Sequence, residues 1–172
     1  AEELVRTVTD PRQQAWVLAA LVQAAVLCGD PARAERLADR IPTADHRVRA
    51  LSTIAGTTDD PALAREVLTR AEAMAEVITG DRGPALTVLA ETTARAGDLP
   101  RARALATNLR NPYERSQALT TLAATLARDG DPVTAIDLVS SVPLPALRAR
   151  ALAIVAEAVA TSGDVPWAVG LT

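Results

Sequence analysis

Gly-Asp recurs along this chain, and each time an alanine stands five residues after the glycine. Four such pairs are Gly29-Asp30, Gly97-Asp98, Gly130-Asp131 and Gly163-Asp164, followed by Ala34, Ala102, Ala135 and Ala168. The last three glycines are spaced 33 residues apart. Self-similarity at this period restricts the chain to copies of one small unit stacked on its neighbours. A single closed core with unrelated parts is not compatible with it.

The unit is legible in Glu114 to Val142. Leu119, Leu122, Ala123 and Leu126 recur at i, i+3, i+4 and i+7, which is one face of a helix. Gly130 can take the left-handed conformation that ends a helix. Asp131 offers an acceptor to the free amides of the next helix, and Pro132 fits its first turn, where a missing N–H costs nothing. Ala135, Leu138 and Val139 then face inward, and Pro143 and Pro145 close the unit. A stop signal next to a start signal predicts a tight helical hairpin.

The same order fits Leu18, Leu21, Val22 and Ala25 before Gly29, with Ala34, Leu37 and Ala38 after it. It fits Leu86, Leu89 and Ala90 before Gly97, and Leu152, Val155, Ala156 and Val159 before Gly163. One unit departs: its turn reads Thr57-Thr58-Asp59-Asp60-Pro61, without glycine. The cap aspartates Asp30, Asp60, Asp98, Asp131 and Asp164 are separated by 30, 38, 33 and 33 residues. A short first helix and a long second one running through Met74 to Ile78 would account for this. The expected units are 12–42, 46–79, 82–110, 114–142 and 147–172, with 1–8 as the tail of a preceding second helix. Neither end carries a polar capping repeat. The chain therefore reads as an excised segment, or the end, of a longer array.

Composition agrees. Hydrophobic residues make up 49% and aromatics 2%, so the core must be built from Ala, Leu and Val. Alanine has the highest helix propensity and permits close approach of helices. The net charge of −3 argues against nucleic acid, which needs a basic stripe against its phosphates. All 18 basic residues are arginine, a usage that matches a GC-rich, actinobacterial type of genome. The apolar run from Ala15 to Cys28 is interrupted by Gln23 and too short to span a bilayer, so no membrane is expected. Without a signal peptide at Ala1–Asp10, and with Cys28 as the only cysteine, a cytoplasmic location is expected.

The order Leu-x-x-Leu-Ala-x-x-Leu, Gly-Asp, then an inward alanine resembles the tetratricopeptide repeat. Leu119, Leu122, Ala123 and Leu126 stand where that family places Trp, Leu, Gly and Tyr; Gly130 and Ala135 match its turn glycine and small residue. Ala34, Ala102 and Ala168 match the same small position. Here the signature aromatics are replaced and the closing proline is shifted, so the array is degenerate. The resemblance implies an all-α fold: an α-solenoid, a right-handed superhelix of antiparallel helix-turn-helix repeats with a period of about 33–34.

Chemistry-bearing residues are few. His46 would serve as a general base only beside a nucleophile, and none accompanies it; it reads as a helix-start or surface histidine. Cys28 reads as a small buried packing residue rather than a nucleophile. One Cys and one His exclude an ordinary zinc site. The acidic turns Thr57–Asp60 and Asp129–Asp131 lack the spacing of a calcium loop and read as helix caps. Without lysine, no P-loop can form. No catalytic residue, cofactor or metal is expected. Arg33, Arg36 and Arg40, and Arg101, Arg103 and Arg110, read as solvated outer faces paired with neighbours such as Glu35 and Asp39. Trp16 and Trp167 are either end-packing residues, the preferred reading, or exposed binding anchors.

If first helices line a concave groove, as the resemblance implies, its candidate residues are Gln23, Thr53, Thr87, Glu91, Thr120, Thr121, Arg150 and Glu157. Such a small, polar, mixed-charge surface suits a peptide or helix. The carboxylate clamp of some relatives needs Lys and Asn on this face; neither is present, so acidic C-terminal tails are expected to bind poorly. The leading expectation is a non-enzymatic protein-interaction scaffold within a larger bacterial protein. Homo-oligomerisation by end-to-end stacking is the alternative, and an enzyme with a groove active site comes last.

Overall fold

The computed structural model describes residues 8–161. Among them the secondary structure is entirely helical: α1 Pro11–Leu27, α2 Pro31–Asp39, α3 Ala44–Thr57, α4 Pro61–Glu76, α5 Gly83–Arg95, α6 Leu99–Thr107, α7 Pro112–Arg128, α8 Pro132–Ser140 and α9 Pro145–Thr161. The chain divides into two compact units, Ala1–Thr92 and Thr93–Thr172, with the division inside α5. The Gly163 turn, Asp164, Ala168, Trp167 and the segment 1–7 lie outside the described residues.

Three of the Gly-Asp turns work by a shared mechanism. Gly29, Gly97 and Gly130 have φ of 72°, 85° and 88°. In each, the glycine N–H donates to the carbonyl three residues back, and the aspartate N–H donates to the carbonyl five residues back. For the last turn these bonds are Gly130 to Ala127, 3.3 Å, and Asp131 to Leu126, 2.9 Å. This is the Schellman closure of a helix. The aspartate side chain then accepts from the next helix: Asp30 from the Arg33 amide at 2.9 Å, Asp98 from Arg101 at 3.2 Å, Asp131 from Thr134 at 3.0 Å. Thr134 holds the Asp131 carboxyl below the usual aspartate range. The Asp thus takes part in ending one helix and starting the next.

A side chain at Gly130 would meet open space, so substitution there tests the backbone alone. Gly130→Ala should destabilise by about 1–2 kcal/mol, the cost of a left-handed alanine. Gly130→Asn should cost less, and urea titration of both compares them. Equal losses would argue against the strain account.

The glycine-free turn uses another device. Thr58 stays extended at φ −83° and ψ 138°, and its hydroxyl accepts from the Asp60 amide at 3.3 Å. Asp60 then caps α4 through the Ala62 and Leu63 amides at 2.8 and 3.3 Å. Helix α4 has 16 residues against nine for α2, α6 and α8. It stops at Glu76, short of Ile78, which packs inward from the following turn. The Asp81 carboxylate accepts from the Gly83 amide at 2.9 Å, a helix-start cap that the sequence reading did not assign.

In the first unit α1 packs on α2 and α3, α2 on α3, and α3 on α4. In the second, α7 packs on α6, α8 and α9, and α8 on α9. Each core is aliphatic, with Leu18, Leu37, Ile41, Leu51, Ile54 and Leu68 in the first and Leu109, Leu119 and Leu122 in the second essentially inaccessible. Alanines such as Ala34, Ala38, Ala102, Ala118 and Ala135 are fully buried between the helices.

Candidate interaction face

A second internal repeat locks each second helix to the first helix that follows. Arg47 donates from Nε and Nη2 to the Ile41 carbonyl at 3.0 and 2.5 Å. Arg115 does the same to Leu109 at 2.9 and 2.6 Å, and Arg148 to Val142 at 3.0 and 2.9 Å. Arg82 reaches the Ile78 carbonyl through Nε at 3.2 Å. The accepting residues bury their side chains, so their carbonyls have left the helix without reaching bulk water. A forked, permanently charged donor satisfies such a carbonyl well. The sequence signal is Arg-x-x-Ala-Leu-x-x-(Ile/Leu/Val)-Ala, starting at Arg47, Arg82, Arg115 and Arg148. Sequence reasoning centred on Gly-Asp and missed it, because those arginines precede the apolar face instead of lying in it.

This motif supplies a register for comparing first helices, with Gln14 in the arginine's place on α1. Its fourth, eighth and ninth residues face inward in the later helices, for example Ala118, Leu122 and Ala123. Its third, seventh, tenth and fourteenth form a stripe of helical spacing that is largely accessible. On α1 the stripe is Trp16, Ala20, Gln23 and Leu27; on α3 it begins Arg49 and Thr53. On α7 it contains Gln117, Thr121 and Arg128, and on α9 Arg150, Ile154 and Glu157.

The candidate groove residues sort onto or beside this stripe. Gln23, Arg150 and Glu157 are exposed, and Thr53, Thr121 and Glu91 are half-buried. Thr87 and Thr120 sit one position off it and are half-buried too. Gln23 and Thr53 lie on packed helices of the first unit; Thr121, Arg150 and Glu157 lie on packed helices of the second. The threonines do not offer free donors. Thr53, Thr87, Thr120 and Thr121 hydroxyls each donate to the carbonyl four residues back, at 3.0, 2.9, 2.7 and 3.2 Å. Toward a partner they present a methyl group and an acceptor.

Two expectations are corrected. Trp16 does not pack at an end: it is 73% exposed, and Leu27 on the same line is 80% exposed. Cys28 is exposed as the C-cap of α1, not buried. Helix α1 is apolar nearly all round, so its run of apolar residues hid which line faces inward: Ala15, Leu18, Val22 and Ala25.

Outer charged residues also pair between helices. Glu35 and Asp39 of α2 are bound by Arg70 of α4, at 2.6 and 2.8 Å. Arg103 of α6 meets Asp137 of α8 and its C-cap residue Ser141 at 3.0 and 3.3 Å. These contacts tie successive second helices and, being partly exposed, are worth only about 0–1 kcal/mol. His46 stands in the first turn of α3, its Nδ1 3.0 Å from the Asp45 carboxylate and 2.9 Å from the Thr43 hydroxyl. Burial pushes the Asp45 carboxyl up, but hydrogen bonds from His46 and Thr43 outweigh it and leave Asp45 below its ordinary value.

Among the described residues no His, Cys, Asp and Glu side chains gather as a metal site. No described helix is long and apolar enough to cross a membrane. Compared with protein-family models, curated proteins and solved structures, the chain matches none.

Proposed function

We propose that this chain is a tetratricopeptide-like α-solenoid acting as a non-enzymatic protein-interaction scaffold, which binds a peptide or helix along the exposed stripe of its first helices. The observation that carries this reading is the division of labour between helices. Second helices use their charged residues on one another, through Arg70 with Glu35 and Asp39, and Arg103 with Asp137. First helices keep an accessible stripe of mixed chemistry in which Gln23, Thr53, Thr121, Arg150 and Glu157 recur in register. Extended segments are held by such distributed contacts, with few deep pockets. The row of helix pairs is supported by α3 packing on both members of the preceding pair.

Selection from a phage-displayed peptide library tests the reading. Enriched peptides should lose binding on Thr53→Arg or Thr121→Arg and keep it on Arg36→Ala, an exposed second-helix change. Peptides that respond only to the second-helix change, or a library without enrichment, would overturn it.

A further inference from the structure

We propose that the exposed stripe of α1, with the adjoining start of α3, docks an acidic amphipathic helix that carries two bulky apolar side chains about three turns apart. This deepens the scaffold reading and rests on it. Trp16 and Leu27 are eleven residues apart, so on a helix they fall about 20° from one line and about 16 Å apart along it. The exposed Ala20 and Ala24 leave a shallow surface between them. In the other first helices Trp16's place is taken by Arg49, Pro84, Gln117 and Arg150, and Leu27's by Arg95, Arg128 and Thr161. The apolar pair is peculiar to α1 among the described first helices.

Stacking within the row does not account for it. Helix α7 has neighbours on both sides, α6 before it and α8 and α9 after it, yet leaves Gln117 and Arg128 exposed. What that packing does cover is Ala118 and Leu122. Their counterparts on α1 are Val17 and Leu21, which are half-buried. A helix pair set ahead of α1 in this register would therefore close over Val17 and Leu21 and leave Trp16 and Leu27 in water. Two large apolar side chains held out on a rigid helix, one of them tryptophan, are the usual anchors of a protein interface.

Charge selects the partner. Pro11–Leu27 contains no acidic residue, and the one carboxylate of α3, Asp45, is engaged by His46. Arg12 lies one turn before Trp16, and Arg49 occupies on α3 the place of Trp16 on α1. Both are exposed, and among the described residues neither has an ion-pair partner. Asp10 caps α1 beside Arg12, but with Arg47 and Arg49 at the start of α3 this edge still carries an excess of positive charge beside an apolar line, on a chain of net charge −3. A helix with its own apolar stripe flanked by Glu or Asp complements both.

Fluorescein-labelled 18-residue peptides provide the probe: an Ala/Glu helix with two leucines eleven residues apart, the same helix with Lys for Glu, and the Glu helix without leucines. An oligothymidine of twelve nucleotides forms the fourth arm. By anisotropy the Glu peptide with leucines should bind, weakening at least tenfold on Trp16→Ala and severalfold on Leu27→Ser, with circular dichroism unchanged because both residues are exposed. Arg49→Glu should shift preference toward the Lys peptide. Binding indifferent to Trp16→Ala, equal binding of the Lys peptide, or binding of the oligonucleotide overturns the proposal. So does a Trp16-dependent dimer that excludes the peptide, which would make a second copy the occupant. If the Glu peptide fails while library-selected peptides still depend on Thr121, only this inference falls; if those fail also, the scaffold reading falls with it.

Discussion

Leu119→Ala should lower the unfolding free energy by about 3 kcal/mol, the middle of the range for a buried leucine truncated in a core that cannot fully collapse. Leu119 is completely inaccessible on α7, the helix that α6, α8 and α9 all pack against. A cavity at this point weakens the packing of α7 against all three neighbours together. Urea denaturation followed by circular dichroism measures the loss. Leu27→Ala is the internal control: with 80% of its surface already in water, it should change stability by less than about 0.5 kcal/mol. Similar losses for the two leucines would mean that burial is not as described.

Arg115→Met is expected to cost about 2 kcal/mol although it removes a charge and adds an apolar tip. The cost arises at the Leu109 carbonyl, which loses both donors of the guanidinium, at 2.9 and 2.6 Å, in a turn whose side chain is buried. A hydrogen bond to a charged group contributes about 1.5–3 kcal/mol, and an orphaned buried acceptor carries its own desolvation penalty. Arg115→Lys should recover only part of the loss, because one ammonium cannot reproduce the planar fork. Full rescue by lysine would reduce the contact to simple charge. The same comparison at Arg148, more exposed but with the same geometry, should give a smaller effect in the same order.

Helix ends were the most legible part of the fold, since a cap is a contract between residues a few positions apart. Asp30, Asp60, Asp98 and Asp131 cap as expected, and the left-handed glycines sit where helices must stop. Other local contracts escaped notice: Asp81 caps α5, and the arginine forks reach back six residues to a carbonyl that no side-chain pattern marks. Once aligned, the arginines repeat at 33-residue spacing from Arg82 to Arg148, so the signal was present in the chain.

The face available to a partner was less accessible to sequence reasoning. Periodicity separates an inner from an outer side only where polar and apolar residues alternate, and α1 is apolar almost all round. Trp16 and Cys28 therefore looked like packing residues and proved exposed. Likewise, Glu35 and Asp39 had arginines near at hand in sequence, but Arg70 reaches them from the next second helix.

What the sequence determined alone is everything settled within one or two helical turns: helical structure throughout the described residues, where helices stop and start, and which line of most helices turns inward. Backbone stereochemistry and short-range hydrogen bonding decide these, and they need no distant partner. The choice of ion pairs between second helices, and the exposure of Trp16 and Leu27, belonged to the tertiary structure. They depend on which surfaces packing leaves uncovered, a quantity that exists only after helices far apart in the chain have met.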